Sequence, residues 1–315
     1  MRNILFLILY FSLSTQVQVV EVVGSMIEDL KSEEQKLNLI MSSDTSLVAR
    51  HYEMACLFSL KAEYEKAFEH LTKAISYGLR GEDALTDTDL NPLRKDSLAW
   101  LKIDALLNAQ YIARNSSITK PQLGIVLWRL GIEDQRYRSL NKNNKAKIIP
   151  LNVHDTVLSR ISQLNLIIKK HGWPAYSEVG IEAADAVFLI YQHSDARTMK
   201  RVLPIFIQKA KEGDADCKKA AMMIDRYLAY KEGVQIYGTQ SFRKRALGSE
   251  VSEEELRLYP IVEIQDLNTR RKVLGMKAWE ESCLERGIKC DQEISSKNSR
   301  IKMKKRWVRK GFLIQ

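Results

Sequence analysis

The stretch Ile181-Glu182-Ala183-Ala184-Asp185-Ala186-Val187-Phe188-Leu189-Ile190-Tyr191, closed by Gln192-His193-Ser194-Asp195, decides the fold. Apolar residues cover almost the whole circumference of that helix, with Glu182 and Asp185 the exceptions, and such a helix belongs in the middle of a helical domain. Asp195 reads as the cap of the next helix, which ends at Gly213. On the other side, a helix reaching Lys170 stops at Gly172, and Pro174 prevents it from resuming. Asp214 is the expected cap of a further helix through Ala220, Ala221, Ile224 and Leu228 to Gly233. An earlier helix starts near Thr119 and Pro121, where Val126, Leu130, Asp134 and Arg138, spaced by four, set an acid and a base behind two core residues. Residues 234–242 and 258–267 carry β-branched and aromatic side chains among turn formers and read as two short extended pieces; residues 277–286 read as a last helix. The expected class is all-α, mainly helical.

Upstream, Met1-Arg2-Asn3 followed by an apolar run over residues 4–13 has the pattern of a secretory signal peptide, placed at residues 1–22. The run is shorter than the roughly 20 residues needed to cross a bilayer. Export to the periplasm or medium is therefore expected, with no transmembrane span in the mature chain. Residues 25–113 read as a first helical unit, with a charged amphipathic helix over 25–41 at its start. Within it, Ala55, Ala67 and Ala74 alternate with Phe58, Tyr64 and Leu71 at a spacing that resembles a single tetratricopeptide repeat, a helical hairpin whose small residues let two helices approach. One repeat cannot bury its own face, so neighbouring helices at 25–42 and 97–113 are expected to complete a bundle, with the 85–96 segment closing it. Docking of an unknown protein partner is the role such a unit implies. The polar Asn115-Ser116-Ser117 break leads to a second helical domain, residues 118–280.

The net charge of +10 is concentrated at the end: residues 291–315 hold eight Lys and Arg against two acids. This basic tail reads as a solvated terminus or as a contact for an anionic surface, Trp307 and Phe312 adding amphipathic character. With no recognised nucleic-acid module, nucleic acid is not an expected partner. Cys56 and Cys217 lie in apolar helical patterns and read as small buried hydrophobes. Cys283 and Cys290 either form a bridge in an exported protein or stay reduced. No GxSxG, HExxH, phosphate loop or dinucleotide fingerprint is present. His171 with His193 and a carboxylate is the one metal set the sequence suggests, and neither a metal nor another cofactor is expected.

Polar islands punctuate the apolar helices. Asp134-Gln135-x-x-Arg138, Gly172-Trp173-Pro174 with Ser177-x-Val179-Gly180, Gln192-His193-x-Asp195, Asp225-Arg226 and Gln235-x-Tyr237-Gly238-Thr239-Gln240 together resemble an exported bacterial family known only as a domain of unknown function, over residues 120–275. Some members of that family carry a tetratricopeptide-like unit ahead of the domain. The resemblance brings no activity, so roles come from chemistry alone. His193, at a helix C-terminus, is either a general base or anion ligand, or a histidine satisfying the last carbonyls. Asp195 orients it or merely caps the next helix. Asp134 with Arg138 is a salt bridge or part of a site. Trp173 is a core plug or a stacking platform. Gln135, Gln192, Asp225, Arg226, Gln235, Tyr237, Thr239 and Gln240 are the candidate ligand-binding groups, unless the Tyr237 turn only caps its neighbours. Two functions follow: a binding protein with a polar pocket in the second domain, or a hydrolase or lyase acting on a polar envelope molecule with His193 as base, Asp134 or Asp195 as its partner. Convergence of these groups around one cavity would favour the enzyme; separate caps and ion pairs would favour the scaffold.

Overall fold

The computed structural model describes residues 32, 35, 46–143, 152–244, 255–288 and 301–314. The expected signal peptide, all but residues 32 and 35 of the expected 25–41 helix, residues 144–151, Cys290 and the side chain of Arg138 lie outside the described residues. The described chain is mainly helical and divides into two compact units between Ser116 and Ser117, at the polar break.

In the first unit, α1 (Leu47–Leu60) and α2 (Tyr64–Ser76) form a hairpin. Ser46 caps α1 by accepting from the Ala49 N–H. Ala55, Ala67, Ala74 and Leu71 are fully buried, so the backbones approach where the side chains are small. The short helices α3 (Gly81–Thr86) and α4 (Asn91–Arg94) follow, then α5 (Ser97–Arg114), capped by Asp96. Leu90 and Leu93 plug the hairpin, each fully buried leucine contributing roughly 1.5–3 kcal/mol. Arg94 ties this closing segment down by donating to the Asp87 and Ala84 carbonyls while its guanidinium lies over Trp100. Gln110 on α5 donates to the Ile75 carbonyl at the end of α2.

The second unit is built around the helix that decided the fold, α9 (Ile181–Gln192). Against it pack α6 (Pro121–Asn143) and α7 (Asn152–His171), with the single turn α8 (Tyr176–Val179) before it and α10 (Ala196–Lys211) and α11 (Cys217–Glu232) after it. The approach of α6 to α9 is set by Gly131, where an added Cβ would lie 2.3 Å from the Ala186 Cβ. Asp185, one of the polar exceptions on α9, accepts from the Tyr176 hydroxyl at 3.1 Å and pairs with Lys219. On α6, Val126 faces solvent, contrary to the four-residue stripe; Leu127, Trp128 and Ile132 form the buried face, and Asp134 is buried with them. The cap of α11 is Asp216 rather than Asp214. Asp214 instead binds the Ser177 hydroxyl and gives its carbonyl to the Tyr176 N–H.

After Gly233, in the left-handed region, the chain forms β1 (Ser241–Lys244) and β2 (Glu255–Leu258), antiparallel with Ser241 opposite Leu258. The extended pieces therefore differ from the expected 234–242 and 258–267: among the described residues pairing is confined to this ribbon and an isolated Gln235–Ile261 bridge, and residues 264–266 are a 3-10 turn. A short α12 (Leu267–Val273) and α13 (Trp279–Glu285) follow. Residues 301–314, with α14 (Lys305–Arg309), are not a solvated terminus. Trp307, Phe312 and Ile314 are buried, Lys304 and Arg306 pair with Glu232, and the Trp307 indole N–H donates to the same carboxylate. No described helix is long and apolar enough to cross a membrane.

Candidate functional site

Asp225 is the centre of the polar set. It sits on α11, eight residues before the Gly233 stop, so the chain that turns back after Gly233 passes over its carboxylate. Oδ1 accepts from the N–H groups of Ile236 (2.7 Å) and Tyr237 (3.0 Å); Oδ2 accepts from the Thr239 N–H (2.9 Å) and hydroxyl (2.8 Å). The side chain is wholly buried. Burial pushes its pKa up, against the pull of these donors. A carboxylate facing donors only is the ionised form's arrangement.

The other members of the turn are fixed in the same way. The Gln235 amide acts as an extra rung of sheet: Oε1 accepts from the Gln240 N–H at 2.8 Å, and Nε2 donates to the carbonyls of Gln240 and Tyr259 at 3.0 and 2.7 Å. The Tyr237 hydroxyl donates to the Phe312 carbonyl and accepts from the Ile314 N–H, at 2.9 and 2.8 Å. Burial pushes that phenol up to about 12, so it stays protonated as a latch on the chain's end. Arg226 links the turn to α9, its Nη1 donating to the Gln192 carbonyl (2.8 Å) and its Nε to Gln240 Oε1 (3.1 Å).

Two participants were not expected from the sequence. Arg270 and Arg271, on α12, are buried; Arg270 donates to the carbonyls of Ile236, Val262 and Glu263, and Arg271 to those of Tyr237 and Lys277. Their signal was the apolar frame, since Leu267 and Leu274 place both arginines on the inward face of one short helix. Burial lowers the pKa of each guanidinium while the Asp225 charge opposes that shift.

The remaining candidates lie in separate contexts. Asp195 caps α10, accepting from the N–H groups of Arg197 (2.7 Å) and Thr198 (3.1 Å) and from the Thr198 hydroxyl (2.7 Å), which hold its carboxyl below the usual range. His193 is the C-cap of α9, its N–H donating to the Leu189 carbonyl, with the ring half-buried. Asp134 is buried and meets Arg160 of α7 at 3.6 Å and the Gln135 amide at 3.2 Å. Trp173 stacks between Phe206 and Tyr191, ring centroids 4.7 and 5.8 Å away. Its indole N–H, and the Gln192 amide oxygen, are buried without a hydrogen-bond partner among the described residues.

In the first unit, the ligand atoms of Cys56, Asp87 and Asp89 lie within 4.8 Å of one another. Asp87 already accepts from the Tyr52 hydroxyl, the Cys56 thiol and the Asp89 N–H. With burial pushing the thiol up to about 12, the trio is a hydrogen-bonded latch across the hairpin's closing segment.

Residues 145–287 match the model of a family described as a family of unknown function, DUF6624. The match takes in Trp173, Gln192, His193, Asp195 and the Asp225 network; Asp134, Gln135 and Arg138 and the whole first unit precede it. No curated protein and no solved structure matches the chain.

Proposed function

We propose that the chain is an exported interaction protein whose second unit is a rigid scaffold and whose first unit docks a protein partner. The observation that carries the reading is α5. Trp100, Ile103, Leu107 and Tyr111 bury one face, while Leu98, Leu101, Ala105 and Ile112 form an apolar stripe on the opposite face, with Leu98 77% and Leu101 60% exposed. A helix apolar on two opposite faces needs a partner for the second one. Support also comes from the second unit, where Asp225, Gln235 and Tyr237 direct their polar atoms into the fold and Asp195 into a cap. The basic residues of the chain's end not paired with Glu232, such as Lys302, Lys305 and Arg309, stay exposed and are available to an anionic surface.

The hydrolase or lyase reading, with His193 as base, is favoured by one observation: the unpartnered amide oxygen of Gln192 immediately before it. A photo-crosslinker placed at position 101 of the full chain in its native host separates the readings. The docking account expects a discrete adduct with another protein, lost in Leu98→Glu; a crosslink to residues 25–41 of the same chain, or none, contradicts it.

A further inference from the structure

Away from the Asp225 network, two histidines that the sequence leaves 19 residues apart are brought into contact through their ring nitrogens, the ring planes tilted by 45°. His51 on α1 and His70 on α2 have their Nδ1 atoms 2.9 Å apart. His171, half of the metal set suggested by the sequence, is instead exposed at the end of α7. The two rings are held from behind by aromatic neighbours: His51 stacks on Tyr77 with centroids 5.5 Å apart, and His70 leans on Phe58 at 5.4 Å.

We propose that His51 and His70 form a two-nitrogen chelate for a divalent transition metal of tetragonal preference, Cu²⁺ or Ni²⁺, which staples α1 to α2. The bite distance argues for this class. With imidazole nitrogens about 2.0–2.1 Å from a metal, neighbouring ligands at a right angle lie about 2.9 Å apart, whereas tetrahedral ligands lie about 3.3 Å apart. The observed separation fits the right angle, the angle of square-planar and tetragonal sites. Solvent completes the coordination, since both rings are only part-buried.

The protons balance. Without metal, one ring donates its Nδ1–H to the other's lone pair; for the metal to enter, the donor ring moves that proton to Nε2, and both Nδ1 lone pairs become ligands with no net release. Burial and the neighbouring cations Lys73 and Arg50 hold both imidazoles below their ordinary pKa, Lys73 acting on both and Arg50 on His51, so at neutral pH the lone pairs are not taken by a second proton. Those cations also oppose a dication. Glu69, paired with Lys73 at 2.6 Å, offsets them.

The test is a titration of the full mature chain with Cu²⁺ alone in a non-coordinating buffer, followed by electron paramagnetic resonance and by paramagnetic broadening of proton resonances. The first equivalent is expected to show coupling to two imidazole nitrogens and to broaden the rings of Tyr77 and Phe58 before any signal near His171 or His193. His51→Gln and His70→Gln each remove one ligand, so each is expected to weaken binding roughly tenfold or more, at least what loss of an outer-shell partner costs. First broadening elsewhere, or binding of parental strength in both variants, overturns the proposal. If the variants fold poorly, the broadening map of the unaltered protein decides by itself.

Discussion

Replacing Asp225 with Asn tests whether the second unit's polar set builds the fold. Four donors converge on the carboxylate: the N–H groups of Ile236, Tyr237 and Thr239 and the Thr239 hydroxyl. An asparagine keeps one acceptor oxygen. If that oxygen stays with Ile236 and Tyr237, the new NH₂ faces Thr239, whose hydroxyl can rotate to accept but whose N–H cannot. One buried N–H is orphaned, at about 1–3 kcal/mol, and the surviving bonds lose charge assistance worth about 1 kcal/mol each. The total is about 4 kcal/mol, a large part of the roughly 5–15 kcal/mol that holds a domain folded. For a unit of this size that corresponds to about 8–16 °C in Tm. The assay is thermal unfolding followed by circular dichroism, with urea denaturation as a second measure. A Tm unchanged or raised would refute the reasoning, because it would mean that the burial penalty on the charge outweighs its hydrogen bonds, as at strained functional sites that gain stability when neutralised.

Other perturbations have defined outcomes. Tyr237→Phe leaves the Phe312 carbonyl and Ile314 N–H unpaired, so the second unit should lose about 1–3 kcal/mol and residues 301–314 should become sensitive to limited proteolysis. Gly131→Ala drives a methyl into Ala186; overpacking of up to about 3 kcal/mol exceeds the ~1 kcal/mol gained in helix propensity, and Ala186→Gly in the same chain should restore most of the loss in urea titrations. Because His51 and His70 have folded pKa values below the unfolded 6.5, they bind fewer protons folded than unfolded; their contribution is complete above pH 6.5 and is lost as pH falls through the folded values. Subtracting the urea-measured stability of His51→Gln/His70→Gln from that of the parent should expose this slope, and a flat difference between pH 7 and 5 would contradict it.

Much of the helical frame was legible because it is local. Gly172 and Gly233 stop helices where their left-handed φ allows, Asp195 caps, and the all-round apolar 181–191 run lies at the centre. What failed depends on distant partners. Asp134 is buried as the four-residue spacing suggested, but Val126 on the same spacing faces water, because α6 meets α9 at Gly131, a contact set by Ala186 some 55 positions later. The strands shifted because register comes from the β1–β2 pairing rather than from β propensity. Tyr237 and Gln235 were recognised as special, yet their role could not be, since the tyrosine's partners lie at Phe312 and Ile314, in a basic stretch whose aromatic residues Trp307 and Phe312 read as amphipathic surface contacts and not as core anchors. The contact of His51 with His70 depends on how the hairpin closes, which no spacing rule reveals.

The central claim, a free apolar face on α5, is tested most directly by Leu98→Glu/Leu101→Glu in the full chain. On an exposed stripe each substitution costs within about 0.5 kcal/mol, so the two together should move the Tm of the first unit by no more than about 8 °C while association through α5 is lost. If the chain itself covers the stripe, two buried unpaired carboxylates would lower the Tm by well over about 10 °C; that fall would contradict the account.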